Sequence, residues 1–161
     1  KNFKNYESHP FRLWRDAFKV NIDAVHLCIQ QVIPLMKKFG GSIINVSSIY
    51  GVVSPDFDTY ENEELWTPPG YAVTKSAVLN LTRYIANLYG KDGIRCNTFT
   101  PSGVATEKLS KGFIKKYSKR NAFNRMAKPH DYKGPILFLC SNASSYMTGA
   151  NLIVDGGWTS R

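Results

Sequence analysis

Apolar residues in the first part of the chain recur at steps of three and four. Phe11, Trp14, Phe18, Ile22, Val25, Ile29, Val32 and Met36 share one face, and this spacing predicts a single long amphipathic helix. Ser8-His-Pro10 opens it, with serine as cap and proline in the first turn. Pro34 bends or loosens its last turn, and Phe39-Gly40-Gly41 ends it. Ser42-Ile-Ile-Asn-Val-Ser47 then runs apolar and β-branched without alternation, as in a strand buried on both faces. A second helix is predicted from Tyr71 to about Tyr89, with Ala77, Val78, Leu81, Ile85 and Leu88 on one face. Gly90 and Gly93 close it, and Ile94-Arg-Cys-Asn-Thr-Phe99 reads as the next strand. Residues 106–128 are basic and helical in part, Asp131 to Ser141 is a short helix, and Asn151-Leu-Ile-Val-Asp155 is a last strand before Gly156-Gly157.

Helix and strand alternate, which implies an α/β layer fold around a parallel sheet. Three strands fall below the usual sheet of about five or six, so the sheet is expected to need strands from elsewhere. The chain also starts at Lys1 in a polar stretch without methionine, and it is expected to be part of a larger gene product.

With 43% apolar and 20% charged residues, a disordered chain and a fibre are both excluded. Twenty-one basic against 12 acidic residues give a net charge of +9, which permits an anionic partner without establishing one. Cys28, Cys96 and Cys140 form no Cys-x-x-Cys pair and sit among apolar neighbours. Buried reduced thiols in a cytoplasmic protein are therefore expected, with no disulfide framework and no metal site. No apolar run approaches the ~20 residues of a membrane span. Asn45, Asn80 and Asn142 fit the glycosylation pattern, and with Asn45 in a buried strand the matches are read as chance.

Tyr71-Ala-Val-Thr-Lys75 sets a phenol and an ammonium at i and i+4, neighbours on one helix face. Such a phenol exchanges protons near neutrality only if a cation or other donor favours the phenolate. A solvated surface pair would have the same spacing, so the context decides. The strand before it delivers Ser47 and Ser48 to the carboxyl edge of the sheet, where parallel α/β folds bind ligands. The helix returns Tyr71 to that edge, and Thr100-Pro-Ser-Gly-Val-Ala-Thr106 leaves the next strand there.

These pieces resemble the short-chain dehydrogenase/reductase family. The matching residues are Asn21 in the first helix, Asn45-Val-Ser-Ser48 with Gly51, Tyr71-x-x-x-Lys75 followed by Ser76 and Ala77, Ile94-Arg-Cys-Asn97, Pro101 to Thr106, and Met147-Thr-Gly149 with Val154-Asp-Gly-Gly157. They stand in the family's order from the first helix to the last residues. The resemblance implies a Rossmann-like doubly wound parallel sheet with its N-terminal βαβ half absent from this chain. Residues 1–161 would be the C-terminal, catalytic and substrate portion of a single domain.

By the same resemblance Tyr71 would be the acid/base and Ser48 would hold the reacting oxygen. Lys75 would favour the phenolate and bind the nicotinamide ribose, and Asn21 would anchor a water leading to Lys75. Pro101, Gly103, Val104 and Thr106 would border the nicotinamide of NAD or NADP. The implied reaction interconverts an alcohol and a carbonyl. A non-catalytic binding or regulatory protein on this fold, and an epimerase or dehydratase, stay open as alternatives. Besides the absent N-terminal half, two features depart from the family pattern. Ser102 follows the proline where glycine is usual, with Gly103 able to relieve the same constraint. The interval from Ser48 to Tyr71 is about ten residues longer than usual and carries Asp56, Asp58, Glu61, Glu63 and Glu64, a loop expected to bulge outward.

Ser47 to Phe57, with Tyr60 and Glu61, is similar to members linked to bacterial surface-sugar and flagellin-glycan pathways, which suggests a sugar or sugar-nucleotide substrate. Lys108, Lys111, Lys115, Lys116, Lys119, Arg120, Arg125, Lys128 and Lys133, with Phe113, Tyr117 and Phe123 between them, read as a solvated helical lid and not as a nucleic-acid patch. Its charge is expected to favour an anionic sugar derivative. His9, His26 and His130 form no metal constellation, and His26 is expected to be packed. Trp14, Trp66 and Trp158 are assigned to packing or an interface, with Trp66 also a candidate substrate-loop aromatic. Helices near 10–38 and 71–89 would pair across the axis of a homodimer or homotetramer, as in the family. No nucleic-acid or membrane partner is expected.

Overall fold

The computed structural model describes residues 5–63 and 65–160; Lys1 and Glu64, used above, lie outside them. Three parallel strands, β1 (Gly41–Val46), β2 (Ile94–Pro101) and β3 (Asn151–Val154), form one sheet in the order β1-β2-β3. Gly41 pairs with Ile94 and Val46 with Phe99, while Thr98 pairs with Asn151 and Pro101 with Val154. The central strand β2 is buried along nearly its whole length. Among the described residues no strand pairs with the outer edge of β1, where Val46 is half exposed.

Helices α1 (Phe11–Phe18) and α2 (Ala24–Met36) are joined by a π turn at Lys19–Asp23, and α3 is Pro69–Tyr89. Ile29 and Ile33 of α2 and Ile85 and Ala86 of α3 pack with Ile94 and Cys96 of β2 in one core. Alternation along the strands turns Ser42 and Arg95 to the other face. There α5 (Lys133–Cys140) lies against β1, with Ser42 Oγ donating to Leu139 O at 2.8 Å. Arg95 caps the end of α5 by donating to Leu139 O and Ser141 O, two carbonyls that the helix itself cannot satisfy. Both faces of the sheet are thus covered, as a doubly wound sheet requires. Gly40 adopts φ +71° where α2 turns into β1, and a Cβ there would lie 2.7 Å from Gly93 O.

Several expectations change. The first helix starts at Phe11 with Pro10 as its N-cap residue, because the Ser8 hydroxyl turns back to donate to Asn5 O. It is also not one continuous α-helix, since the π turn interrupts it at Lys19–Asp23. Cys96 is fully buried, and burial pushes its thiol up to about 11, but Cys28 and Cys140 are exposed. Ile29 and Leu139, next to them in sequence, are buried, while these thiols lie on the outer side of their helices. His26 is exposed as well. The lid contributes one helix, α4 (Lys111–Lys119), capped by Ser110 Oγ accepting from Phe113 N–H at 2.9 Å. No helix among the described residues is long and apolar enough to cross a membrane.

Candidate active site

The carboxyl end of β1 leads into a 3-10 turn at Ile49–Gly51, with Ser48 as its N-cap. Ser48 Oγ accepts the Tyr50 N–H at 3.2 Å, so its own proton stays available to a ligand oxygen. Ser47 faces the other way, its Oγ donating to Lys75 O at 2.7 Å and its N–H to Phe99 O at 2.9 Å. The serine turn is thereby fastened to α3 and β2 together. Gly51 makes this approach possible, for a Cβ there would sit 2.6 Å from both Lys75 O and Ser47 Oγ.

Pro69 opens α3 in its first turn and sets Tyr71 one turn before Lys75. The Tyr71 hydroxyl has no hydrogen-bond partner among the described residues. Lys75 Nζ lies 5.8 Å from the centroid of the Tyr71 ring and donates to Val46 O at 2.9 Å. Partial burial lowers its pKa from the ordinary 10.5, since desolvation disfavours the ammonium. Asn21 sits in the π turn, and its Nδ2 donates to the fully buried Thr74 Oγ1 at 3.0 Å. The bond ties the turn to the residue before Lys75 and leaves Asn21 Oδ1 free to accept from a water.

Ser48 and Tyr71 line a cavity of about 410 Å³, and so do Pro101, Gly103 and Val104 at the end of β2. Lys75 and Asn21 stand behind this wall, and Thr106 is exposed outside the lining. Ser102 and Gly103 both lack positive φ, so glycine directly after Pro101 is not a conformational necessity here. What Gly103 meets is close packing, because a Cβ would lie 3.0 Å from Met126 Cε and from the Tyr117 ring. Val104 bridges Ala127 through the bonds of its neighbours, Ala127 N–H to Gly103 O and Ala105 N–H to Ala127 O. Its own N–H and C=O have no hydrogen-bond partner among the described residues.

The long loop after Ser48 does not bulge outward as expected. Tyr60, Trp66, Thr67 and Pro68 line the cavity and form its roof with α4. Thr67 Oγ1 donates to the Tyr60 hydroxyl, which donates to the Tyr50 hydroxyl, each at 2.8 Å. Tyr60 packs on Phe113 with ring centroids 5.4 Å apart, and Tyr117 on Trp158 at 4.3 Å. Burial pushes the phenols of Tyr50, Tyr60 and Tyr117 above their ordinary value. Trp66 is thus a cavity aromatic, while Trp158 is buried packing. The Phe113-x-x-x-Tyr117 spacing on an amphipathic helix signals two of these inward residues; Tyr50 and Thr67 carry no periodic signal.

The basic lid does not present its charge to the site. Lys108, Lys111, Lys115, Lys119, Lys128 and Lys133 are exposed, and among the described residues no charged one lines the cavity. Arg120 Nε pairs with Asp56 Oδ2 at 2.8 Å, Lys116 donates to Glu61 O, and Ser110 Oγ donates to Glu63 Oε2 at 2.6 Å. Acidic loop and basic lid clasp each other, so the lid's charge gives no ground for an anionic substrate.

Comparison with known proteins agrees with this architecture. Residues 2–159 match the family described as Enoyl-(Acyl carrier protein) reductase. The chain is 34% identical to L-rhamnose 1-dehydrogenase (NAD(P)(+)) of Sphingomonas sp. (strain SKA58), covering 96% of this chain and 60% of that protein. It is 33% identical to post-translational flagellin modification protein A of Campylobacter coli, over 89% of this chain and 56% of that protein. A short-chain dehydrogenase from Leptospira borgpetersenii serovar Hardjo-bovis, solved with bound NAD+, superposes with a TM-score of 0.89 at 34% identity, over 98% of this chain and 60% of that one. The chain belongs to the short-chain dehydrogenase/reductase family. It spans 60% of the length of the first of these relatives.

Proposed function

We propose that this chain is the C-terminal, catalytic portion of an oxidoreductase domain that interconverts an alcohol and a carbonyl with NAD or NADP. The observation that carries the reading is the meeting of two free hydroxyls, Ser48 and Tyr71, in one uncharged cavity with the Lys75 ammonium beside the phenol. In the reducing direction the substrate oxygen accepts from the Ser48 hydroxyl, an oxyanion-type donor. Tyr71 gives its proton to that oxygen, and Lys75 stabilises the phenolate that remains. Asn21 Oδ1 offers an acceptor for a water that returns the proton from solvent toward Lys75.

The residues present fit a nicotinamide. A carboxamide needs one donor and one acceptor, and Val104 has an unengaged N–H and C=O at the cavity wall. Lys75 uses one ammonium proton on Val46 O and keeps two for ribose hydroxyls. The bound cofactor would supply or take the hydride. The assignment to part of a larger domain is supported by the unpaired edge of β1 and by the share of its relatives that the chain covers. Exposed Leu27, Tyr84 and Leu88 on α2 and α3 favour a homo-oligomer. Sugar dehydrogenases among the relatives favour a sugar substrate. The test follows NADH and NADPH absorbance in the full-length protein with carbonyl substrates, beside Tyr71→Phe. Turnover lost in the variant with cofactor binding kept supports the reading. Absence of cofactor binding in the parent protein favours a binding role instead.

A further inference from the structure

We infer that the cavity takes a neutral polyhydroxylated ring, an uncharged sugar or cyclic polyol, and that Tyr50, Tyr60 and Thr67 determine this specificity. The inference rests on the alcohol–carbonyl reading above and narrows its substrate class.

Charge is the first argument. The lining carries no Lys, Arg, His, Asp or Glu among the described residues. Lys75 is outside the lining and, on the reading above, is committed to Val46 O and the ribose hydroxyls, while Arg120 is engaged by Asp56 and Arg125 by Asp131 at 2.7 Å. A carboxylate or phosphate entering this space would lose water without gaining a counter-charge, which is strongly unfavourable.

Proton counting is the second. The chain Thr67–Tyr60–Tyr50 joins three hydroxyls by two bonds, so one proton is left without an acceptor. Reversing the chain moves that proton from Tyr50 to Thr67, and both residues line the cavity. The Tyr117 hydroxyl accepts the Gly103 N–H at 2.7 Å and has the Ser102 hydroxyl as a second partner. With Ser48 and Tyr71, the cavity holds three O–H donors that have no acceptor among the described residues. Burial keeps the phenols of Tyr50, Tyr60 and Tyr117 protonated at working pH. A ligand that displaces solvent from these donors must offer acceptors in its place, and one that matches three of them carries several neutral oxygens.

Shape is the third. Trp66 and Phe113 give the wall flat apolar faces, suited to the C–H face of a saturated ring. The volume of about 410 Å³ is near the small end of ligand sites.

The test is calorimetric titration of the full-length protein, saturated with nicotinamide cofactor, with D-galactose, L-rhamnose, cyclohexanol and D-gluconate. At least one neutral sugar is expected to bind saturably and more tightly than cyclohexanol or gluconate. Tyr50→Phe combined with Tyr60→Phe should weaken that sugar about tenfold and leave cyclohexanol within twofold. Thr67→Val serves as a milder variant, expected to weaken the sugar severalfold, with thermal melting to confirm folding. Preference for gluconate, failure of both sugars to bind, or equal loss for sugar and cyclohexanol overturns the inference. Sugar binding without turnover overturns only the oxidoreductase reading.

Discussion

Gly51→Ala should part Ser48 from Tyr71 while leaving both residues chemically unchanged. The new Cβ would lie 2.6 Å from Lys75 O and 2.7 Å from Lys75 C, both backbone atoms of α3, and 2.6 Å from Ser47 Oγ. Reaching an ordinary contact of 3.4 Å requires the serine turn and α3 to part by roughly 0.8 Å. Ser47 Oγ can rotate away, though this breaks its 2.7 Å bond to Lys75 O; the carbonyl cannot. Overpacking of this kind costs about 1–3 kcal/mol, with up to about 1.5 kcal/mol more for the lost hydrogen bond. Because Ser48 moves with the turn and Tyr71 with α3, a displacement near 1 Å should lower kcat about 10²-fold. Steady-state kinetics and thermal melting on the same preparation read both effects. Adding Ser47→Ala removes one of the clashing groups and should restore part of the stability but little of the activity. A Gly51→Ala protein with kcat within threefold of the parent and an unchanged Tm would refute the reasoning.

Other outcomes follow from the same geometry. Thr82 Oγ1 accepts from Asn45 Nδ2 at 2.9 Å and from Thr98 Oγ1 at 2.8 Å, fully buried. Thr82→Val should orphan the Thr98 hydroxyl and leave Asn45 Nδ2 only its 3.6 Å bond to Cys96 Sγ, destabilising by roughly 2–4 kcal/mol and lowering Tm by roughly 5–15 °C, whereas Thr82→Ser should recover most of the loss in differential scanning calorimetry. Burial lowers the Lys75 pKa below 10.5, so between the lowered value and 10.5 the unfolded chain holds more protons and stability from this group rises with pH. The parent's Tm should therefore gain on that of Lys75→Met as pH climbs toward 10.5, and parallel melting curves would contradict the burial argument. Reversing the exposed charges Lys115 and Lys119 to Glu should leave KM for neutral and anionic substrates within twofold, because neither residue lines the cavity.

Much of this architecture was legible in the pattern of residues. Ile43 and Ile44, and Ile94, Cys96 and Phe99, lie in strands covered on both faces, and short β-branched or apolar runs without strict alternation are the mark of that environment. Parallel strands must end on one edge, so the meeting of Ser48, Tyr71 and Val104 followed from topology. The roof was not legible. Its path is held by Thr67–Tyr60–Tyr50 hydroxyl bonds and by Arg120–Asp56, contacts between residues with no common period. For the same reason the acidic loop and the basic lid read as two separate features, although they are each other's partners. The π turn at Lys19–Asp23 was hidden as well, since one added residue per turn barely disturbs the apolar spacing.

The central claim is that Tyr71 is the proton donor at a cavity where an alcohol and a carbonyl interconvert. The most direct measurement is kcat of Tyr71→Phe in the full-length protein, set beside its affinity for NADH and NADPH by fluorescence. The variant keeps the ring, its packing and its 5.8 Å approach to Lys75, and loses only the hydroxyl. The account predicts a fall in kcat of about 10²-fold or more with cofactor affinity within a few-fold of the parent. A Tyr71→Phe protein that binds cofactor and keeps more than about a tenth of the parent kcat would contradict it.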